Sequence, residues 1–141
     1  MKIEAGIREK FEKLLGMAEH SILEHLAIEF DQVGKSLLSA RMPVDHRTQQ
    51  PFGILHGGAS VVLAESLASI GAYLNIDDAE RYAVGLEINA NHIRSVRNGY
   101  VSGTAEPLHI GRSTQVWKIS IVRDDGALVC ESRCTLAVIG V

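Results

Sequence analysis

The sequence predicts an α+β fold in which an antiparallel sheet curves about one long buried helix. Three observations carry this. Residues 56–75, "HGGASVVLAESLASIGAYLN", are almost all small or apolar, which marks a helix buried on every side. Four later segments, "YAVGLEINANHIRSV", "YVSGTAEPLHI", "STQVWKISIVRD" and "ALVCESRCTLAVI", are β-branched and alternating, as strands are. The βαβ alternation of a doubly wound sheet is missing.

The elements follow in chain order. Ile7, Phe11, Leu14, Leu15 and Met17 lie among charges in residues 5–18 and predict an amphipathic helix within the first 20 residues. "LAIEFDQVGKSLLSARMPV" reads as two strands with a turn near Val33–Lys35. Leu38, Ala40 and Met42 form the more apolar face of the second strand. Polar residues with Pro51 and Gly53 make residues 45–55 a loop. Gly57 and Gly58 open the long helix, and Asn75-Ile76-Asp77-Asp78 ends it. Asp124-Asp125-Gly126 is a hairpin turn between the last two strands. No repeat or linker divides the 141 residues, which fit one domain.

Bulk properties exclude several classes. The chain is 46% hydrophobic and 22% charged, as a globular protein is, and its formal net charge is −3. That charge gives no general attraction to nucleic acid or an anionic membrane. No apolar run reaches the ~20 residues of a membrane span. The charged start, "MKIEAGIREKFEK", lacks the apolar stretch of a secretion signal. A cytoplasmic protein with neither nucleic-acid nor membrane partner is expected. Cys130 and Cys134 fall on one strand, ~13 Å apart at strand rise and beyond the ~7 Å reach of a disulfide. They are expected to be free, buried thiols, and no metal site is indicated.

Glu65 is the only charged residue between Gly57 and Leu74. A glutamate in a helix most often faces solvent. In this company an ionised carboxylate is costly unless it is bonded or neutralised, which makes it a candidate for chemistry. The helix start offers unpaired N–H groups and the positive end of the helix dipole. Gly57 would let a ligand oxygen approach its N–H, although a tight helix entry explains two glycines equally well. Gly57 and Glu65 are eight residues apart, or ~12 Å along a helix. One helix cannot easily bring both to a single carbonyl, whereas two antiparallel helices in a dimer can. The spacing therefore predicts composite sites on a two-fold axis. Ser69 follows Glu65 by one turn and can orient the carboxylate, or serve only as a small packing residue. His92 shares parity with Leu86, Ile88 and Ala90 and would end a core-facing row. A bulge in Asn89–Asn91 would reverse that parity.

"QPFGILHGGASVVLAESLAS", "VGLEINANHIRSV", "PLHIGRSTQVWKI" and "CESRCTLAVI" together resemble the hotdog-fold thioesterases of the 4-hydroxybenzoyl-CoA thioesterase superfamily. Within it they are most similar to the 1,4-dihydroxy-2-naphthoyl-CoA hydrolases and the enterobactin proofreading thioesterases. The resemblance runs from about Leu26 to Ile139. It implies a sheet wrapped around the helix, an acyl-CoA substrate, no cofactor, and a homodimer that usually doubles to a homotetramer. It implies that Glu65 is nucleophile or general base, and that the Gly57 N–H polarises the thioester carbonyl. Gln50 and His56 would stand near that carbonyl, with Ser69 and His92 positioning water or leaving group. Arg94 and Arg97, or His109, Gly111, Arg112 and Ser113, are candidates to meet the phosphates of the CoA arm. Ile70, Phe52 and Leu55 are candidates for the acyl pocket. A hotdog dehydratase and a non-catalytic acyl-CoA-binding domain are the rival readings. The unbroken HGG-to-Glu65 arrangement favours hydrolysis.

Overall fold

A computed structural model describes residues 1–140. Seven strands and three helices follow one another as β1 (Lys2–Ile3), α1 (Arg8–Gly16), α2 (Ile22–His25), β2 (Glu29–Val33), β3 (Leu38–Pro43), α3 (Gly57–Leu74), β4 (Arg81–His92), β5 (Tyr100–Ile110), β6 (Thr114–Arg123) and β7 (Leu128–Gly140). The strands form one sheet in the order β1-β2-β3-β5-β6-β7-β4. Only the short β1–β2 pair is parallel. α3 packs across β3 to β7, so the expected sheet curved about a buried helix is what the chain builds.

Alternation explains the packing. Leu38, Ala40 and Met42 of β3, Val101 and Ala105 of β5, Trp117, Ile119 and Ile121 of β6, and Cys130, Cys134 and Leu136 of β7 are all buried. They meet Leu63, Leu67, Ala68 and Leu74 of α3 in one core. α3 has the length and mean hydropathy (18 residues, 1.3) of a membrane span, yet 56% of it is buried within this chain. Gly71 sits where a Cβ would lie 2.6 Å from the Trp117 ring. Gln115, also buried, donates from Nε2 to the Ala72 carbonyl at 3.2 Å and accepts from the Trp117 indole N–H at 2.9 Å. This pair of bonds ties the end of α3 to β6. Gln115→Leu leaves the indole N–H without a partner and is expected to cost about 1–3 kcal/mol. A urea unfolding midpoint equal to the parent's would refute that role.

Three sequence expectations are corrected. The first helix spans Arg8–Gly16 rather than residues 5–18, and Met17 is exposed. It docks through Ile7 and Phe11, whose ring meets Phe30 edge-on at 5.4 Å. β1 and α2 were not expected, because two and four residues are too short to show a period. Leu86 does not share the core-facing row. A bulge between Gly85 and Glu87 turns it outward, to 63% exposure, while Ile88 and Ala90 pack on the core. The bulge therefore lies earlier on β4 than Asn89–Asn91. Cys130 and Cys134 are free and buried, as expected.

Candidate active site

His56 begins the site as the N-cap of α3. Its Nδ1 accepts the Gly58 N–H at 2.7 Å. That bond fixes the tautomer, so Nε2 carries the proton and faces outward as a donor. The His56 carbonyl accepts the Ala59 and Ser60 N–H groups at 3.0 and 3.4 Å. The Gly57 N–H has no acceptor among the described residues.

The two glycines have distinct reasons. A Cβ at Gly58 would lie 2.9 Å from His56 Nδ1. A Cβ at Gly57 would lie 2.8 Å from His92 Nε2. The glycine pair thus makes room for two imidazoles, one from its own cap and one from the end of β4.

The loop before α3 is fixed from several sides. The Leu55 N–H donates to the Val96 carbonyl at 2.7 Å, and the His56 N–H to the Thr48 carbonyl at 2.8 Å. The buried Thr48 hydroxyl donates to the Pro43 carbonyl at 2.8 Å. Arg47 bonds to Asp45 and holds its carboxyl down at about 2. Gln50 Oε1 accepts the Phe52 N–H, and its Nε2 has no acceptor among the described residues. A cleft of about 310 Å³ results, with Gln50, Leu55, Gly57, Ser60, His92 and Arg94 on its walls.

Glu65 lies elsewhere. Together with Ser69, Ile70 and Val62 of α3, and Ile22 and Leu23 of α2, it lines a second cleft of about 370 Å³. Glu65 is half-buried and makes no hydrogen bond or ion pair among the described residues. Its carboxylate rests against the bulge of β4, where a Cβ at Gly85 would overlap Glu65 Oε1. Behind it the Cys134 thiol is pushed up to about 12, chiefly by burial and then by the charges of Glu65 and Glu87.

The Cys134 shift has a sign that can be tested. The unfolded thiol ionises near 9.0 and the folded one only near 12, so between these values the unfolded chain binds fewer protons. Stability contributed by Cys134 is complete below 9.0 and is lost as pH climbs toward 12. At about pH 8 iodoacetamide is expected to label Cys134 in urea and to spare it in the folded protein. Equal labelling rates would show that the thiol is not buried.

The predicted residues therefore separate into two groups. Gln50, Leu55, Gly57, His92 and Arg94 share the first cleft, with His56 capping its helix. Glu65, Ser69 and Ile70 share the second. Phe52 stands at the loop tip, 84% exposed, on neither wall. Gly111, Arg112 and Ser113 form the β5–β6 turn, whereas His109 lies within β5, paired with Val116. Ser113 accepts the Val138 N–H at 2.9 Å, which places that turn toward the Arg81 end of β4, away from His92. Arg94 donates to the Leu128 carbonyl at 2.9 Å, on the rim of the first cleft. Arg97 borders the loop, 4.0 Å from a Cβ built on Gly53. Ile22, Leu23, Ser60 and Gly85 were not anticipated. Only Gly85 carried a signal, as a glycine inside an alternating strand. Among the described residues no three metal-binding side chains converge.

Residues 52–130 match the family model described as the thioesterase superfamily. The chain is 52% identical over 128 residues to the 1,4-dihydroxy-2-naphthoyl-CoA hydrolase of Escherichia coli K12, covering 91% of this chain and 93% of that protein. It is 50% identical over 120 residues to the proofreading thioesterase EntH of Cronobacter turicensis, covering 85% and 87% respectively. Among solved structures it superposes on a mutant thioesterase from Pseudomonas aeruginosa with a TM-score of 0.88. The identity there is 49%, over 92% of this chain and 94% of that one.

Proposed function

The chain belongs to the thioesterase superfamily, and on that premise we propose that it hydrolyses the thioester of an aromatic acyl-CoA, such as 1,4-dihydroxy-2-naphthoyl-CoA. The observation that carries this reading is the division of the site. An unpaired N–H at Gly57 and an unpaired carboxylate at Glu65 project from one helix into two separate clefts. Each is half of an acyl-transfer site.

β4 supplies the way to join them. It runs antiparallel to α3, since Gly57 meets His92 at its end and Glu65 meets Gly85 near its middle. β4 is also the last strand of the sheet, with β7 on one side only. Antiparallel pairing of two β4 edges, centred on Ile88 and Asn89, sets His92 of one chain across from Gly85 of the other. Gly57 then faces Glu65 of the second copy, in two equivalent sites. A homodimer is therefore the working unit, and the free faces of its sheet allow a homotetramer.

Chemistry follows from the groups. The thioester carbonyl oxygen lies against the Gly57 N–H, where the negative charge of the tetrahedral intermediate is stabilised. Glu65 takes a proton from water as the water oxygen bonds to the carbonyl carbon, or attacks that carbon itself, in which case loss of the thiolate leaves an anhydride that water then cleaves to the free acid and Glu65. The C–S bond then breaks, and CoA leaves as a thiolate that gains a proton. Ser69, one turn from Glu65, holds the carboxylate or the water. Gln50 Nε2 and His56 Nε2–H are the further donors at the carbonyl end. The apolar Glu65 cleft suits the acyl group, and the rim with Arg94 suits the CoA arm.

Release of free thiol from a panel tests the reading: 1,4-dihydroxy-2-naphthoyl-CoA, benzoyl-CoA, a hydroxybenzoyl carrier-protein thioester and lauroyl-CoA. The highest kcat/KM is expected for an aryl-CoA. Turnover of none would overturn the assignment. The similarity to EntH supports a second reading, in which the carrier-protein thioester is the preferred substrate.

A further inference from the structure

The Glu65 cleft has one wall from α3 and one from α2. The α3 wall carries the carboxylate, the Ser66 and Ser69 hydroxyls, and the apolar Val62 and Ile70. Facing it are two side chains only, Ile22 and Leu23. Leu23 turns back onto the core and is anchored there. Ile22 is 51% exposed, a large apolar side chain left over an open cavity that holds the candidate catalytic carboxylate.

The path of α2 is set by its surroundings rather than by helix propensity. It is a single turn of four residues, bracketed by left-handed backbone at His20 (φ 63°) and Ala27 (φ 50°). Alanine has no side-chain compensation for that conformation, so the fold holds it against a local cost. The bonds that do so are on both sides. The His20 N–H donates to the Glu24 carboxylate, and the Ile28 N–H donates to the Leu23 carbonyl at 2.9 Å. A segment held in this way can present Ile22 at a fixed height above Glu65.

We propose that α2 is the wall that sets the size of the acyl group, with Ile22 as its specificity-determining side chain. The proposal rests on the thioesterase reading of the same site. An acyl group whose carbonyl carbon lies within reach of Glu65 extends along Val62 and Ile70, and Ile22 covers its outer face. A flat ring fills the space between these three side chains. A long alkyl chain must pass Ile22 to leave the cleft.

Binding of thioether analogues separates this inference from the question of hydrolysis. S-benzyl-CoA, S-dodecyl-CoA and bare CoA are titrated calorimetrically against the parent, Ile22→Ala and Ile22→Trp. Ile22→Trp is expected to weaken S-dodecyl-CoA about tenfold relative to bare CoA, the scale on which an apolar pocket discriminates. Ile22→Ala is expected to shift the dodecyl-to-benzyl affinity ratio the other way. If neither variant moves that ratio, or all three ligands shift together, α2 is not the acyl wall. Failure of the parent to hydrolyse any thioester would instead overturn the proposed reaction, and the ligand ratios would still report on Ile22.

Discussion

Glu65→Gln is expected to lower kcat by a factor on the order of 10²–10⁴, the usual contribution of a general base or nucleophile. The substitution keeps volume and removes the charge. The carboxylate has no partner to lose among the described residues, and it rests beside Gly85 on the bulge of β4. Folding and association are therefore expected to survive, and KM to change little. Size-exclusion chromatography with light scattering checks the first point, and steady-state thiol release checks the second. Near-parental hydrolysis of a good thioester would remove Glu65 from the mechanism.

Two inactive variants are expected to rescue each other. Gly57→Val puts a Cβ 2.8 Å from His92 Nε2, closer than the imidazole can tolerate without shifting, and is expected to spoil the carbonyl end of the proposed site. Glu65→Gln spoils the other end. If each site draws one end from each chain, a mixed dimer has one site with both lesions and one with neither. Refolding the variants together in equal amounts should restore about a quarter of parental activity, since half the dimers are mixed and each has one intact site. Separate refolding followed by mixing without exchange should restore none. Should Gly57→Val fold poorly by circular dichroism, a Gln50→Ala, His92→Ala chain carries the same lesion. Absence of rescue with either partner would place Gly57 and Glu65 in sites of a single chain.

Legibility in the sequence followed the length of each signal. α3 was legible from end to end, because its apolar run is bounded by His56 and Asn75, which are in fact its caps. The last four strands and the Asp124–Gly126 turn were legible for the same reason. α2 was not, since four residues cannot show a helical period. It nevertheless contributes one wall of the Glu65 cleft. A further reason for glycine at position 57 lies in His92, far along the chain. Local spacing cannot report which imidazole a fold brings to a glycine. Leu86 was placed inward because alternation assumes an unbroken ladder, and the bulge at Gly85 breaks it. The separation of Gly57 from Glu65 was legible, since it needs only the rise of a helix.

β4 leaves twelve residues with one edge unclaimed, and Tyr82, Val84 and Leu86 exposed along it. Such an edge is a template for any extended polypeptide, with no preference for its own kind. If the proposed dimer is the working unit, a newly made chain enters a race between finding its twin and joining an indiscriminate aggregate. In the proposed dimer, pairing of like edges would serve solubility as well as chemistry, so that one contact answers two needs. Charge added along this strand would quiet the aggregate and silence the pairing together.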